Sequence, residues 1–155
     1  MRNVNEMTEQ TRDFSEFYGL RFEDLTLGMS AAVGRTVTDA DILMFAGVSG
    51  DTNPVHLDGE LAGASMFGGR IAHGMLSASY ISTVFGTKLP GPGCIYLSQT
   101  LKFKAPVKSG DTVVARVTVK ELVPAKRRAL FDTVCTVGGK VVLEGQAEIL
   151  VPARA

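Results

Sequence analysis

The chain has 155 residues, with 16 Lys and Arg against 16 Asp and Glu, so its formal net charge is zero. No long run of one charge supports a nucleic-acid or membrane-surface partner, and no apolar run is long enough to cross a bilayer. The length predicts one domain that needs no disulfide to be stable. Cys94 and Cys135 lie far apart without a CxxC pair, so we interpret them as thiols in a reducing cytoplasm.

The first half of the chain predicts an arm, a strand and a short helix. Residues 1–18 form the arm, which is polar and of mixed charge, unlike a signal peptide. Residues 19–155 form the domain, beginning with a weak strand from Met29 to Val37. Thr38 can then cap a helix that has two acids in its first turn. Residues 51–70 are rich in glycine and irregular, with one or two helical turns between Glu60 and Met66.

The middle of the chain predicts a buried helix. Residues 75–85 contain no Gly or Pro and mix large apolar with small side chains, which is typical of a helix buried on nearly all sides. Gly86 ends this helix, and residues 89–93 form a stiff loop of Pro and Gly.

The rest of the chain predicts four antiparallel strands, over residues 95–105, 112–120, 127–137 and 140–151. In the first strand, one parity is apolar and comprises Ile95, Leu97, Leu101, Phe103 and Ala105. Gly138-Gly139 predicts a two-residue hairpin turn. The apolar face of these strands needs a cover, and the helix at 75–85 is the one segment apolar enough. The fold class is therefore α+β, an antiparallel β-sheet wrapped around a central long α-helix.

The residues suited to catalysis lie just before and at the start of this helix. Asp51, Asn53 and His56 bring a carboxylate, an amide and an imidazole within six residues, a set that can handle a proton near neutral pH. The backbone N–H of Gly74, at a helix start, can hold a developing oxyanion. Each also has a structural interpretation: Asp51 can brace a turn, and Gly74 can permit close packing. His73 is expected to brace the loop by hydrogen bonds.

Other chemistries fit the sequence less well. No HxxxH or CxxC pair suggests zinc, so no metal is expected. A calcium loop would need glycine where His56 stands. A hydrolase triad would need a Gly-x-Ser-x-Gly turn, which the chain lacks.

The string Asp51-x-Asn53-Pro54-x-His56-x-Asp58, followed by residues 67–76 (FGGRIAHGML), resembles the MaoC-like, (R)-specific enoyl-CoA hydratases, which have the hotdog fold. The resemblance implies a single hotdog domain, active as a homodimer on an acyl-CoA thioester, with no cofactor beyond the coenzyme A of the substrate. It also implies a role in fatty acid or polyhydroxyalkanoate metabolism.

The resemblance further implies a role for each site residue. Asp51 and His56 would be the catalytic pair that activates water, and the Gly74 N–H would bind the thioester oxygen. Asn53 would position the pair, and Ser82 would lie near the substrate. Water would add across the C2–C3 double bond to give the (R)-3-hydroxyacyl product, with both water and proton delivered to one face of the enoyl group.

Two alternatives remain beside the hydratase. One is a hotdog acyl-CoA thioesterase, and the other is a subunit that binds acyl thioesters without catalysis. The Asp-x-Asn-Pro-x-His string argues against the thioesterase, and the complete set of Asp51, His56 and Gly74 argues against the binding subunit. The acyl chain is expected to extend toward a group comprising Ile81, Val84, Phe85 and the loop 89–93.

Overall fold

The computed structural model describes residues 14–154, which form four α-helices and six β-strands. The helices are α1 (Asp39–Ser49), α2 (Pro54–Leu57), α3 (Gly59–Ala64) and α4 (Gly74–Thr87). The strands are β1 (Ser30–Thr36), β2 (Ile95–Gln99), β3 (Lys102–Phe103), β4 (Thr112–Val123), β5 (Arg128–Val137) and β6 (Lys140–Leu150). Among residues 14–154, no helix combines the length and hydrophobicity that crossing a membrane would require.

The strands form one antiparallel sheet in the order β1-β4-β5-β6-β2, with β3 paired to β6 beside β2. Helix α4 lies against β1, β4, β5 and β6 and supplies the centre of the core. Fully buried side chains of α4 pack on fully buried side chains of the sheet. Those of α4 are Ile81, Val84 and Phe85, and those of the sheet include Val113, Val117, Phe131 and Ile149. The predicted α+β architecture, a sheet against one long helix, is confirmed.

Local signals in the sequence position several elements. The Thr38 side chain accepts a hydrogen bond from the Asp41 N–H, and the Asp41 carboxylate accepts one from the Thr38 N–H, which together start α1 as predicted. The predicted hairpin at Gly138 and Gly139 is confirmed, with φ of 55° and 80°. Both values lie in the left-handed region that a type I′ turn requires, so both positions favour glycine.

The predicted strand over residues 95–105 is wrong in two respects. It is interrupted, forming β2 and the two-residue β3, and β2 carries a bulge between Tyr96 and Ser98. Ile95 and Leu97 also lie 55% and 40% exposed, whereas the Tyr96 ring packs edge-on against Phe85 at 5.0 Å. The alternation fails because β2 is an edge strand, where a bulge reverses which side chains face the core.

Most of the predicted arm lies outside the described residues. From residue 14 onward, two 3₁₀ turns, Ser15–Phe17 and Phe22–Asp24, lead into the domain. The backbone N–H groups of Gly19 and Leu20 donate to the carbonyls of Pro92 and Pro90, each at 2.8 Å. The segment leading into the domain is therefore attached to the loop that follows α4.

Candidate active site

Asp51 lies at the turn that ends α1. Gly50 takes a left-handed conformation, with φ of 75°, and terminates the helix just before it. The two carboxylate oxygens of Asp51 have different surroundings. Oδ1 accepts a hydrogen bond from the Asn53 N–H at 3.2 Å, while Oδ2 faces the His56 ring, with 4.0 Å between Oδ2 and Nε2. The first oxygen braces the turn and the second is directed at the imidazole.

His56 is delivered by α2, a helix of four residues where the sequence predicted irregular chain. The Asn53 side chain caps it by accepting from the Val55 N–H, and Pro54 occupies its first turn, both ordinary features of a helix start. The ring is buried, and its Nδ1 lies 2.8 Å from the carbonyl oxygen of Ile71. Because a carbonyl can only accept, Nδ1 carries the proton. In the neutral ring, Nε2 therefore keeps its lone pair on the side of Asp51.

His73 contacts both Asp51 and His56. Its Nε2 lies 2.9 Å from the backbone carbonyl of Asp51, so that nitrogen is the donor. Its ring stacks on that of His56, with centroids 3.7 Å apart and planes 27° apart, and it contacts Phe45 at 4.9 Å. The predicted bracing role is thus visible as a hydrogen bond. The stacking of the two histidines was not predicted, because they lie in different elements.

Gly74 is the first residue of α4, and helix geometry leaves the N–H groups of a first turn without an intrahelical acceptor. A Cβ built on Gly74 would lie 2.5 Å from Cε1 of Phe103. Glycine therefore lets β3 approach the helix start closely. The two interpretations offered by the sequence, an exposed donor and a tight-packing glycine, are compatible at this position.

Asp51, His56, His73 and Gly74 line one cavity of about 520 Å³. Most of its wall is apolar, which suits an acyl chain. The apolar lining comprises Met66, Phe67, Ile71, Ala72, Met75, Phe103, Ala105, Pro106, Val107, Val142 and Leu143. The side chains expected to meet the acyl chain, Ile81, Val84 and Phe85, are packed in the core and are not part of this lining, and the loop 89–93 is not part of it either.

Three further side chains differ in how they relate to the cavity. Asn53 is exposed and acts on the backbone of α2, without lining the cavity. Ser82 is exposed on α4 and does not line it. Ser77 does line it, and its buried Oγ has no hydrogen-bond partner among the described residues. Ser77 was not predicted as a site residue, although it lies one helical turn after Gly74 and so on the same side of α4.

Asp51, His56 and His73 bring three potential metal-ligand atoms within 4.8 Å of one another. In each ring the nitrogen that faces a backbone carbonyl, of Ile71 for His56 and of Asp51 for His73, acts as a donor, so each neutral ring keeps one nitrogen with a lone pair. The arrangement fits proton transfer between a carboxylate, an imidazole and a water molecule.

Comparisons with known proteins find relatives over most of the chain. The model of the MaoC like domain matches residues 26–145. The chain is 58% identical over 133 residues to the (R)-specific enoyl-CoA hydratase of Rhodospirillum rubrum, covering 86% of this chain and 92% of that protein. It is 47% identical over 135 residues to the 3-hydroxybutyryl-CoA dehydratase of Methylorubrum extorquens, covering 87% and 86% of the two chains.

Solved structures support the same relationship. The unliganded R-hydratase PhaJ1 of Pseudomonas aeruginosa superposes with a TM-score of 0.83 at 44% identity, over 88% of each chain. The (R)-hydratase of A. caviae involved in PHA biosynthesis superposes with a TM-score of 0.81 at 40% identity, over 84% of this chain and 99% of that one. The range 26–145 matched by the domain model includes α4 and the segment that carries the site.

Proposed function

This chain belongs to the MaoC-like domain family, and we propose that it catalyses the reversible hydration of trans-2-enoyl-CoA to (R)-3-hydroxyacyl-CoA. One observation supports the proposal above all: Asp51, His56 and the free end of α4 at Gly74 face a single, largely apolar cavity. A carboxylate, a basic imidazole nitrogen and a backbone donor beside an apolar pocket are the groups that this reaction requires.

The first step activates water. The 4.0 Å between Asp51 Oδ2 and His56 Nε2 is too long for a hydrogen bond and leaves room for one water bonded to both. As the water oxygen forms its bond to C3, the pair takes up one water proton. The Ile71 carbonyl holds the Nδ1–H of His56, which keeps the Nε2 lone pair available. Because Asp51 and His56 interact closely, we assign the proton to the pair.

The second step returns the proton. The C2–C3 π electrons move toward the thioester and place negative charge on its oxygen, which the Gly74 N–H stabilises. Removing one such donor typically costs about 3–4 kcal/mol of transition-state stabilisation. C2 then takes the proton from the pair, so the enzyme returns to its starting state and one water has been added. Because one close pair both takes up the water proton and returns it, both additions should occur on one face of the enoyl group. The reverse sequence is dehydration.

The apolar wall of the cavity supports a substrate that carries an acyl chain on its thioester. We propose coenzyme A as the thiol, because the two relatives described above are named for CoA substrates. We also propose a cytoplasmic enzyme that supplies or consumes (R)-3-hydroxyacyl-CoA in fatty acid or polyhydroxyalkanoate metabolism. Cys94 and Cys135, both free thiols, suit a reducing compartment.

The active form is proposed to be a homodimer. Strand β2 lies at the edge of the sheet, and it carries the exposed side chains of Ile95 and Leu97. An exposed apolar edge strand favours pairing with a second copy. Sedimentation velocity should give a dimer, and a fully active monomer would contradict the proposal.

The activity is tested with crotonyl-CoA in three parallel readouts. Loss of the double-bond absorbance should occur without release of free thiol, which separates hydration from thioester hydrolysis. The product should yield NADPH with an (R)-specific 3-hydroxyacyl-CoA dehydrogenase and no NADH with an (S)-specific one. Thiol release at the rate of absorbance loss would favour a thioesterase, and no change in any readout would favour a non-catalytic binding subunit.

A further inference from the structure

We infer that His73 is a positioning residue that holds both members of the proposed catalytic pair, Asp51 through its backbone and His56 through its ring. The inference rests on the proposed function, since it assigns catalysis to that pair. It assigns a role in catalysis to His73, although this side chain takes no part in the proton transfers themselves.

The contact with Asp51 fixes an otherwise exposed loop. Asp51 follows the end of α1, and its side chain is about half exposed. The His73 Nε2–H donates to the Asp51 carbonyl at 2.9 Å. His73 is only 2% exposed and occupies the N-cap position of α4, the central helix of the core, so its own backbone is firmly placed. The hydrogen bond therefore ties the position of Asp51 to α4.

The contact with His56 fixes the plane of a ring. Helix α2 has four residues and is too short to be rigid by itself. The Ile71 carbonyl determines which nitrogen of His56 carries the proton, but one hydrogen bond leaves the ring free to tilt. The His73 ring, stacked at 3.7 Å, removes that freedom. Together the two contacts direct Nε2 toward Asp51.

The surroundings of His73 hold its ring in one orientation. Phe45 packs on it at 4.9 Å, and Nε2–H is committed to the Asp51 carbonyl. Its Nδ1 is buried and has no hydrogen-bond partner among the described residues. The ring contact and the hydrogen bond therefore hold the His73 ring in one orientation for stacking on His56.

The neighbouring residue links this positioning to the thioester. Gly74, which is proposed to hold the substrate oxygen, follows His73 directly in the chain. His73 thus sets the distance between the water-activating pair and the oxyanion donor. A displacement of about 1 Å between reacting groups can cost on the order of 100-fold in rate.

Three variants separate the two contacts. His73→Ala removes both, and its kcat for crotonyl-CoA should fall about 100-fold with KM nearly unchanged. His73→Gln keeps an N–H donor at a similar reach but has no ring, and His73→Phe keeps the ring but has no donor. Each should recover part of the loss, leaving kcat about tenfold below wild type if the contacts contribute equally. Thr83→Ala, an exposed truncation on the same helix, is the control and should retain full kcat.

Proton NMR tests the ring contact without catalysis. The chain has only two histidines, so His56 is resolved once His73 is replaced. The His56 ring signals should lose their ring-current shift in His73→Gln and keep most of it in His73→Phe. Unchanged His56 signals in His73→Gln would overturn the stacking. A wild-type kcat in His73→Ala, or a rise in KM alone, would overturn the positioning role.

Folding and the proposed function are checked separately. Circular dichroism and thermal unfolding are recorded for all variants. Loss of folded protein in all three would assign His73 to stability alone and would also overturn the inference. If wild-type protein shows no hydration, the proposed function fails, and the NMR result alone then decides whether His73 holds the His56 ring.

Discussion

Replacing Asp51 by Asn changes one carboxylate oxygen of the site while preserving the turn. The Asn53 N–H already donates to Oδ1 at 3.2 Å, so the carbonyl oxygen of an Asn side chain should take that position. The amide NH₂ then replaces Oδ2, the oxygen that lies 4.0 Å from His56 Nε2. An NH₂ group can neither accept a proton from water nor carry the negative charge. The substitution therefore removes the proposed chemistry and leaves the loop braced.

The expected loss follows from the role of an acid–base group. Such groups contribute about 10²–10⁴-fold in rate, which corresponds to roughly 2.7–5.4 kcal/mol of activation free energy. We expect kcat for crotonyl-CoA hydration in Asp51→Asn to fall within this range. The free energy of unfolding should change by no more than about 0.5 kcal/mol, as at ordinary surface sites. The assay is the initial loss of double-bond absorbance at saturating substrate, with urea unfolding measured on the same preparations.

Asp58→Asn is the matched control. Asp58 is also followed by a short helix, and its Oδ1 accepts from the N–H groups of Glu60 and Leu61, but it does not line the cavity. Asn and Asp cap helices about equally well, so this variant should keep both stability and kcat. If Asp51→Asn retained kcat within a few-fold of wild type, the assignment of Asp51 to water activation would be refuted.

Three further outcomes are expected. Gly74→Ala should reduce kcat because its Cβ would lie 2.5 Å from the Phe103 ring, and adding Phe103→Ala should recover part of that loss in the same assay. Hydrogen bonds from the Thr38 backbone N–H, the larger effect, and from the Arg35 guanidinium hold the pKa of Asp41 below its usual value. The carboxylate therefore stabilises the fold at neutral pH, and that contribution is lost as the pH falls through the lowered pKa. Asp41→Asn should therefore be less stable than wild type in urea at pH 7, with the difference shrinking below about pH 4. Burial raises the pKa of Cys135 to about 12, so its thiol should resist a disulfide reagent at pH 8 until the protein is unfolded; rapid reaction of native Cys135 would contradict this.

The sequence predicted those features that depend on neighbouring residues. The cap at Thr38, the Gly138-Gly139 turn and the long helix each have a local signal, and α4 extends only slightly beyond the predicted residues 75–85. Helix α2 also has local signals, the Asn53 cap and Pro54, but four residues are too few for a hydrophobic period to appear.

Features that depend on the packing of distant elements could not be predicted in the same way. The predicted burial of α4 on nearly all sides is wrong, because Ser79, Ser82 and Thr83 are exposed. Its sequence does not show that Ser77 lines the cavity while Ser82 is exposed. The stacking of His56 on His73 requires the paths of α2 and α4 in space. The exposure of Ile95 depends on a bulge that its own alternation does not reveal.

The groups proposed to perform the chemistry all come from residues 51–74, whereas much of the apolar wall comes from residues 103–107 of β3 and its following loop and from Val142 and Leu143 of β6. Part of the substrate-binding wall is thus encoded apart from the reacting groups, while Met66, Phe67, Ile71 and Ala72 of the wall lie in the same stretch as those groups. Substitutions in the sheet can change the size of the acyl group that the cavity accepts, while the proton-transfer geometry stays the same. Variants that accept longer or bulkier enoyl groups should therefore be sought by substituting the wall positions of β3 and β6. The stereochemistry of the product should not change in such variants.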